Sequence, residues 1–122
     1  MPTVKFKNVG LEVVVPVGTT ILQAAKQVGA PQGDRCGGVC ACSTCHVYVT
    51  EGMSSLSEAE DEELDILEKA FHPRASSRLG CQAKLEKDTT YEVVIADESF
   101  SAFLDEHPTE KEKAKKLWQG VT

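Results

Sequence analysis

The sequence predicts a single α+β domain followed by a tail. Its 122 residues, of which 41% are hydrophobic, suffice for one modest core and are too few for two ordinary domains. Runs of β-forming residues stand at both ends of the first 96 residues, and two segments between them carry helical patterns with start and stop signals. We assign the domain to residues 1–96 and the tail to residues 97–122.

The N-terminal elements form a hairpin and then a helix. The β-rich runs VKFKNV and LEVVVPV meet across residues 8–10, which predicts a tight connection between two strands. Thr19 or Thr20 can cap a helix through ILQAAKQV, and Gly29 ends it. A hairpin followed by a helix is how a β-grasp domain begins.

The middle of the chain alternates between a loop, strands and a second helix. Residues 30–45 have no periodic pattern and predict an irregular loop, after which HVYVT alternates like a short strand. Ser57 and Glu60 have the spacing of a capping box at the head of a helix that runs to about Phe71. The segments QAKL and TTYEVVIA predict two further strands.

The tail has two open interpretations. From Asp97 onward the apolar alternation stops, and HPTEKEKAKKLWQG combines mixed charge with one tryptophan. Pro108 near its start suits the first turn of a short surface helix. A partly ordered terminal segment is the alternative.

Composition restricts the compartment and the partners. The N-terminus has no signal-peptide pattern and no stretch has the apolar length of a transmembrane helix, so we expect a soluble, monomeric protein without membrane insertion. A cytoplasmic location is expected, with a mature mitochondrial or other organellar form as the alternative. The formal charge of −6 argues against nucleic acid, because phosphate binding needs a basic face.

The cysteines carry the strongest functional signal. An odd number, five, without an export signal favours metal ligation over disulfides. The gaps between four of them are five, two and thirty-five residues, close to the pattern in which one loop and one distant position bind a [2Fe-2S] cluster. These candidate ligands are Cys36, Cys42, Cys45 and Cys81.

The loop between the first three cysteines suits close contact with inorganic sulfide. Gly37, Gly38 and Ala41 are small where backbone must approach the cluster, and the hydroxyls of Ser43 and Thr44 can add hydrogen bonds to those of backbone N–H groups. The fifth cysteine, Cys40, is interpreted as a small buried side chain, with a substitute ligand or transfer thiol as the alternative. His46 is interpreted as a structural, hydrogen-bonding residue.

The segments CGGVCACSTCHVYV and SRLGCQ together resemble the adrenodoxin-like, ISC-type [2Fe-2S] ferredoxins over residues 3–95. The resemblance implies a β-grasp (ubiquitin-like) fold with a mixed sheet, one main packing helix and an acidic partner helix. It implies a one-electron carrier rather than an enzyme. The expected donor is an NAD(P)H-dependent flavoprotein ferredoxin reductase. The expected acceptor is a cytochrome P450 or the iron-sulfur cluster assembly machinery with its cysteine desulfurase.

Other metal and redox sites fit the cysteine spacing less well. A structural zinc ribbon needs two C-x-x-C pairs, and only Cys42 and Cys45 form one. The C-x2-C-x2-C-x3-C-P run of a bacterial [4Fe-4S] site is missing, and a Rieske centre needs two histidine ligands. A thioredoxin-like dithiol at Cys42 and Cys45 would need a strand before the first cysteine and a helix starting at it, and the sequence predicts neither. A cluster donor or sensor that uses the same thiolates remains open.

The second predicted helix carries a crowd of acids. Seven lie between Glu58 and Glu68 without a base, and the helical pattern turns Leu64, Leu67 and Ala70 to one side with Phe71. A solvated helix face is the plain interpretation, but like charges at i and i+4 cost helix stability. In the resembled family this helix docks basic partners. The aligned acids are Asp61, Glu62, Asp65 and Glu68.

Overall fold

The computed structural model describes residues 1–33, 45–70 and 73–120. Within these ranges, strands and helices are interspersed along the first 95 residues and helices follow, and none of the helices has the length and apolar composition needed to cross a membrane. The strands are β1 Thr3–Phe6, β2 Leu11–Val14, β3 His46–Glu51, β4 Ser77–Leu79 and β5 Thr90–Ile95. The helices are α1 Ile21–Val28, α2 Asp61–Glu68, α3 Asp97–Glu106 and α4 Lys111–Leu117, with 3₁₀ turns at Met53–Ser55 and Pro108–Glu110.

The described strands form one mixed sheet in the order β2-β1-β5-β3-β4. Strands β1 and β5 run parallel, and the other neighbours are antiparallel. The predicted α+β class and the N-terminal hairpin are therefore confirmed. Strands β2 and β4 lie at opposite edges, so surfaces near them are far apart on the molecule.

Helix α1 forms as the local sequence predicts. Thr20 is its N-cap, and a capping box joins the Thr20 and Gln23 side chains to each other's backbone N–H groups. Gly29 closes the helix with φ of +76°, a left-handed conformation that suits glycine. The buried side of α1 joins the main core. Its buried residues are Ile21, Leu22, Ala24 and Ala25.

Asn8 joins three distant parts of the fold. Its buried side chain donates from Nδ2 to Ile95 O at 2.9 Å and accepts from Ile95 N at 3.0 Å. Its own carbonyl accepts from Gln119 N at 2.8 Å. The turn of the N-terminal hairpin is thus tied both to the end of β5 and to the C-terminal segment.

The tail forms helices that pack on the core. Phe100 in α3 and Ala114 in α4 are buried, and the Trp118 ring stacks on Phe100 with centroids 4.1 Å apart. Helix α4 follows the 3₁₀ turn Pro108–Glu110, in the segment where the sequence suggested a short helix. Helix α3 was not predicted, and its N-cap, Ala96, makes no side-chain cap hydrogen bond that would mark its start in the sequence. The domain boundary at residue 96 stays a prediction.

Two sequence predictions are wrong. QAKL does not form a strand, because Lys84 and Leu85 make only isolated bridges, to Thr20 and Leu56, and no extended strand lies beside them. The capping box of Ser57 and Glu60 is also absent. Helix α2 begins at Asp61 with Glu60 as N-cap and no side-chain cap hydrogen bond.

We expect that replacing Trp118 by alanine lowers the free energy of unfolding by about 2 kcal/mol, less than the loss for a fully buried aromatic side chain. The ring is half-buried and loses its stack on Phe100. Urea denaturation followed by circular dichroism measures this. Val17→Ala, at a side chain that is 54% exposed, is the control. Equal stability of the Trp118 variant and the wild type would show that the stack of Trp118 on Phe100 does not stabilise the domain.

Candidate metal centre

Two of the predicted thiol ligands meet in the structure. Cys45 directly precedes β3 and Cys81 follows β4 by two residues. The antiparallel pairing of His46 with Leu79 brings these ends together, and Gly80 N donates to Cys45 O at 3.0 Å. The two Sγ atoms consequently lie 3.3 Å apart although the residues are 36 apart in the chain.

This thiol pair suits a soft metal. A disulfide would need sulfur atoms about 2.05 Å apart. Two thiolates at about 2.3 Å from one tetrahedral metal ion stand about 3.8 Å from each other, much nearer to the observed 3.3 Å. Thiolate donors favour zinc, copper(I) and iron-sulfur clusters. The described thiols therefore fit two ligands of one metal ion in such a site.

The other predicted members of the site lie outside the described residues. Within the described ranges, no group of three or more His, Cys, Asp and Glu side chains could hold a metal ion. The candidate ligands Cys36 and Cys42 and the fifth cysteine, Cys40, belong to the segment 34–44. The predicted cluster-contacting residues of the same segment are Gly37, Gly38, Ala41, Ser43 and Thr44.

Gln32 is a site residue that the sequence did not indicate. Its Nε2 donates to Cys45 O at 3.3 Å, and the side chain is 4% exposed. A Cβ atom on Gly80 would overlap Gln32 Nε2 and would stand 3.1 Å from Cys45 O. Gly80 therefore lets one amide fit between the two cysteine-bearing segments. No local sequence pattern points to Gln32, because its contact with residues 45 and 80 forms only in the folded chain.

His46 links β3 to β4 beside Cys45. Its Nε2 lies 2.7 Å from Ser77 Oγ, and Ser77 Oγ accepts from Arg74 N at 2.7 Å. The ring is fully buried, and burial, followed by the Arg74 guanidinium, lowers the pKa of His46 from 6.5 to about 4. This geometry agrees with the structural role predicted for His46.

A buried ion pair joins helix α2 to β4. Arg78 donates to both Glu63 carboxylate oxygens, at 2.6 and 3.1 Å, and Leu79 N donates to the same carboxylate at 3.0 Å. Arg78 also donates to Ser57 O at 2.7 Å. With these partners both charges are satisfied, which a buried pair requires. The helix is thus fixed to the strand that leads to Cys81.

The helix faces differ from the prediction at two positions. Leu67 and Ala70 are buried as expected, but Leu64 is 47% exposed and was wrongly assigned to the core side. Glu63, counted only as part of the acidic crowd, is 2% exposed. Spacing could have found it, because positions 63, 67 and 70 share one helix face. An acid on that face indicates a buried basic partner.

The four acids assigned to partner docking are all exposed. Asp61, Glu62, Asp65 and Glu68 project from α2, with Glu58 and Glu60 exposed just before it. Beside them lies an open groove of about 810 Å³, here called the acidic groove. It is lined by residues 57–63 and by Gln82, Lys84 and Glu86. Exposed carboxylates make most of this groove negative, with Lys84 also in its lining, and Gln82, the residue after Cys81, lies at its wall.

The chain matches a described family and named relatives. Residues 4–86 match the 2Fe-2S iron-sulfur cluster binding domain. A 2Fe-2S ferredoxin of Haemophilus influenzae is 42% identical over 82 residues, which cover 67% of this chain and 73% of that protein. The mitochondrial adrenodoxin homolog of Saccharomyces cerevisiae is 47% identical over 72 residues, which cover 58% of this chain but only 42% of the yeast protein.

Solved structures show the same fold. An ISC-like [2Fe-2S] ferredoxin of Pseudomonas putida superposes with a TM-score of 0.70 and 42% identity, over 81% of this chain and 95% of that one. Putidaredoxin in a covalent complex with putidaredoxin reductase superposes with a TM-score of 0.65 and 27% identity, over 77% of this chain and 95% of that one.

Gly80→Ala is expected to lower the free energy of unfolding by about 1–3 kcal/mol, because the new methyl group overlaps Gln32 Nε2. The midpoint of thermal unfolding and the iron content per chain should both fall. The double variant Gly80→Ala/Gln32→Ala should recover most of that loss, since only the 3.1 Å contact with Cys45 O remains. Gln32→Ala alone is the control for the second change. Simple additivity of the two losses would show that Gln32 does not cause the effect.

Proposed function

We propose, since this chain belongs to the 2Fe-2S ferredoxin family, that it holds its cluster through Cys36, Cys42, Cys45 and Cys81 and passes electrons from a reductase to an acceptor docked on its acidic face. The chain is a [2Fe-2S] electron carrier rather than an enzyme. The single observation that carries the ligand assignment is the convergence of Cys45 and Cys81 at 3.3 Å. When bound, the cluster supplies reversible one-electron chemistry.

The four thiolates provide the full set that a [2Fe-2S] cluster needs. Cys45 and Cys81 supply one pair from two chain segments, and the spacing of Cys36 and Cys42 supports them as the other pair. The sequence supports cluster contact for the segment between them, since Gly37, Gly38 and Ala41 have little or no side chain. The hydroxyl groups of Ser43 and Thr44 are chemically able to donate hydrogen bonds to sulfur, and such bonds stabilise the reduced state.

Partners dock on α2 and the acidic groove. Asp61, Glu62, Asp65 and Glu68 are exposed, and repulsion between Asp61 and Asp65 at i and i+4 is unfavourable for the isolated helix. A basic partner relieves this repulsion. Attraction between the opposite charges speeds the encounter and weakens with salt, so the carrier can bind and leave repeatedly.

The electron donor is an NAD(P)H-dependent flavoprotein reductase. The complex of putidaredoxin with putidaredoxin reductase supports this assignment by similarity. For the acceptor we favour the cluster assembly machinery with its cysteine desulfurase over a cytochrome P450, because the similar structure at 42% identity is described as ISC-like. A cytoplasmic location stays a prediction, since the relatives include bacterial and mitochondrial proteins.

The ligand set is tested by replacing each cysteine with alanine. Substitution of Cys36, Cys42, Cys45 or Cys81 is expected to remove most of the visible absorption and the EPR signal obtained with dithionite, because three thiolates do not complete the cluster. Cys40→Ala, in the same loop, is the matched control and should retain both signals. If Cys40→Ala loses the cluster and one of the other four variants keeps it, Cys40 is a ligand in place of that residue.

Charge reversal tests the docking face. Asp61→Lys and Asp65→Lys are each expected to slow reduction by a flavoprotein reductase about tenfold at low ionic strength, and the difference should shrink as salt is added. Glu12→Lys makes the same charge change on β2, at the sheet edge opposite β4. The absorption spectrum should be unchanged in all three variants. Equal rates for the α2 and β2 variants would exclude the docking face.

A further inference from the structure

Gln82 touches a candidate ligand directly. Its Nε2 donates to Cys81 Sγ at 3.5 Å, a normal length for a hydrogen bond to the large sulfur atom. The residue follows Cys81 in the chain and is half-buried.

The backbone around Gln82 is held firmly. Gln82 N donates to Leu79 O at 3.0 Å, and Gln82 O accepts from Ser57 Oγ at 3.3 Å. Ser57 Oγ in turn accepts from Lys84 N at 3.0 Å. These bonds fix the main chain on both sides of Cys81, so the Gln82 side chain extends from a fixed backbone position beside the sulfur.

Gln82 also lines the acidic groove. One side chain therefore contacts a candidate cluster ligand and also forms part of the surface proposed to receive partners. A partner in the groove comes within one side chain of Cys81. In this position the amide can influence the free energy of reduction of the cluster and also the path of an electron from Cys81 to the groove.

We propose that the Gln82 side-chain amide raises the reduction potential of the cluster by donating a hydrogen bond to Cys81 Sγ. An added electron increases the negative charge on the thiolate sulfur, so an N–H donor stabilises the reduced state more than the oxidised state. The inference rests on the proposed function, because it takes Cys81 as a ligand. It assigns to Gln82 the tuning of the potential.

The reduction potential of the loaded protein tests this directly. Gln82→Leu keeps a similar volume but removes the donor. We expect its equilibrium constant for reduction to fall by about threefold to tenfold, where tenfold equals 59 mV for a one-electron couple. Gln82→Glu puts a negative charge beside the sulfur and should lower the constant at least as far. Gln27→Leu, on the exposed side of α1, is the matched control and should leave the potential unchanged.

A spectroscopic measurement separates tuning from packing. Resonance Raman bands of iron-thiolate stretching should shift when wild-type protein is exchanged into D₂O, and part of this shift should be missing in Gln82→Leu. A residue that only packs would change stability without changing this isotope effect. Potentials of both Gln82 variants equal to that of the wild type would overturn the proposal.

Measurements on the wild-type protein and on the Gln82 variants distinguish a failure of the proposed function from a failure of the role of Gln82. If wild-type protein has no cluster, or its cluster cannot be reduced reversibly, the proposed function is wrong. If the cluster is present and reducible, and only the effects of the Gln82 variants are missing, the proposed function stands and the role of Gln82 is wrong.

Discussion

The buried pair of Glu63 and Arg78 is the interaction on which the site and its proposed docking face both depend. It joins the helix with the exposed acids to the strand before Cys81, and each charge is satisfied by further bonds. Removing one partner of such a pair costs about 3–5 kcal/mol. The net stability of a domain is only about 5–15 kcal/mol. The ion pair therefore holds the candidate ligand and the negative surface in one rigid unit.

The acidic residues of helix α2 have two different roles, depending on which face of the helix they occupy. Glu63 lies on the same face as Leu67 and binds the core through Arg78, whereas Asp61 and Asp65 are exposed and repel each other. The helix would be weak alone, because it has no side-chain cap and no basic residue in its last turn. Tertiary contacts hold it in place, so its surface charges can be arranged for binding rather than for helix stability.

Local signals explain what could be predicted. The hairpin, the cap of α1 at Thr20 and the strands β3 and β5 depend on neighbouring residues, and each formed as expected, although the first four residues of β3 are all buried instead of alternating. The errors involve partners far away in the chain. Ser57 has the spacing of a cap, but its hydroxyl binds the backbone of Gln82 and Lys84. Gln32 has no pattern of its own, and its role becomes visible only when β3 and β4 bring Cys45 beside Gly80.

Ser57 shows how the groove and the candidate ligand share one framework. Its hydroxyl holds the backbone of Gln82, and its carbonyl accepts from Arg78. A partner that pressed on the loop before α2 would therefore act on the same bonds that position Cys81 and its amide donor. An electron carrier benefits when such bonds are rigid, because atoms that keep their positions during transfer need little reorganisation. The hydrogen bonds of Ser57 supply this rigidity where the proposed docking surface meets the proposed cluster site.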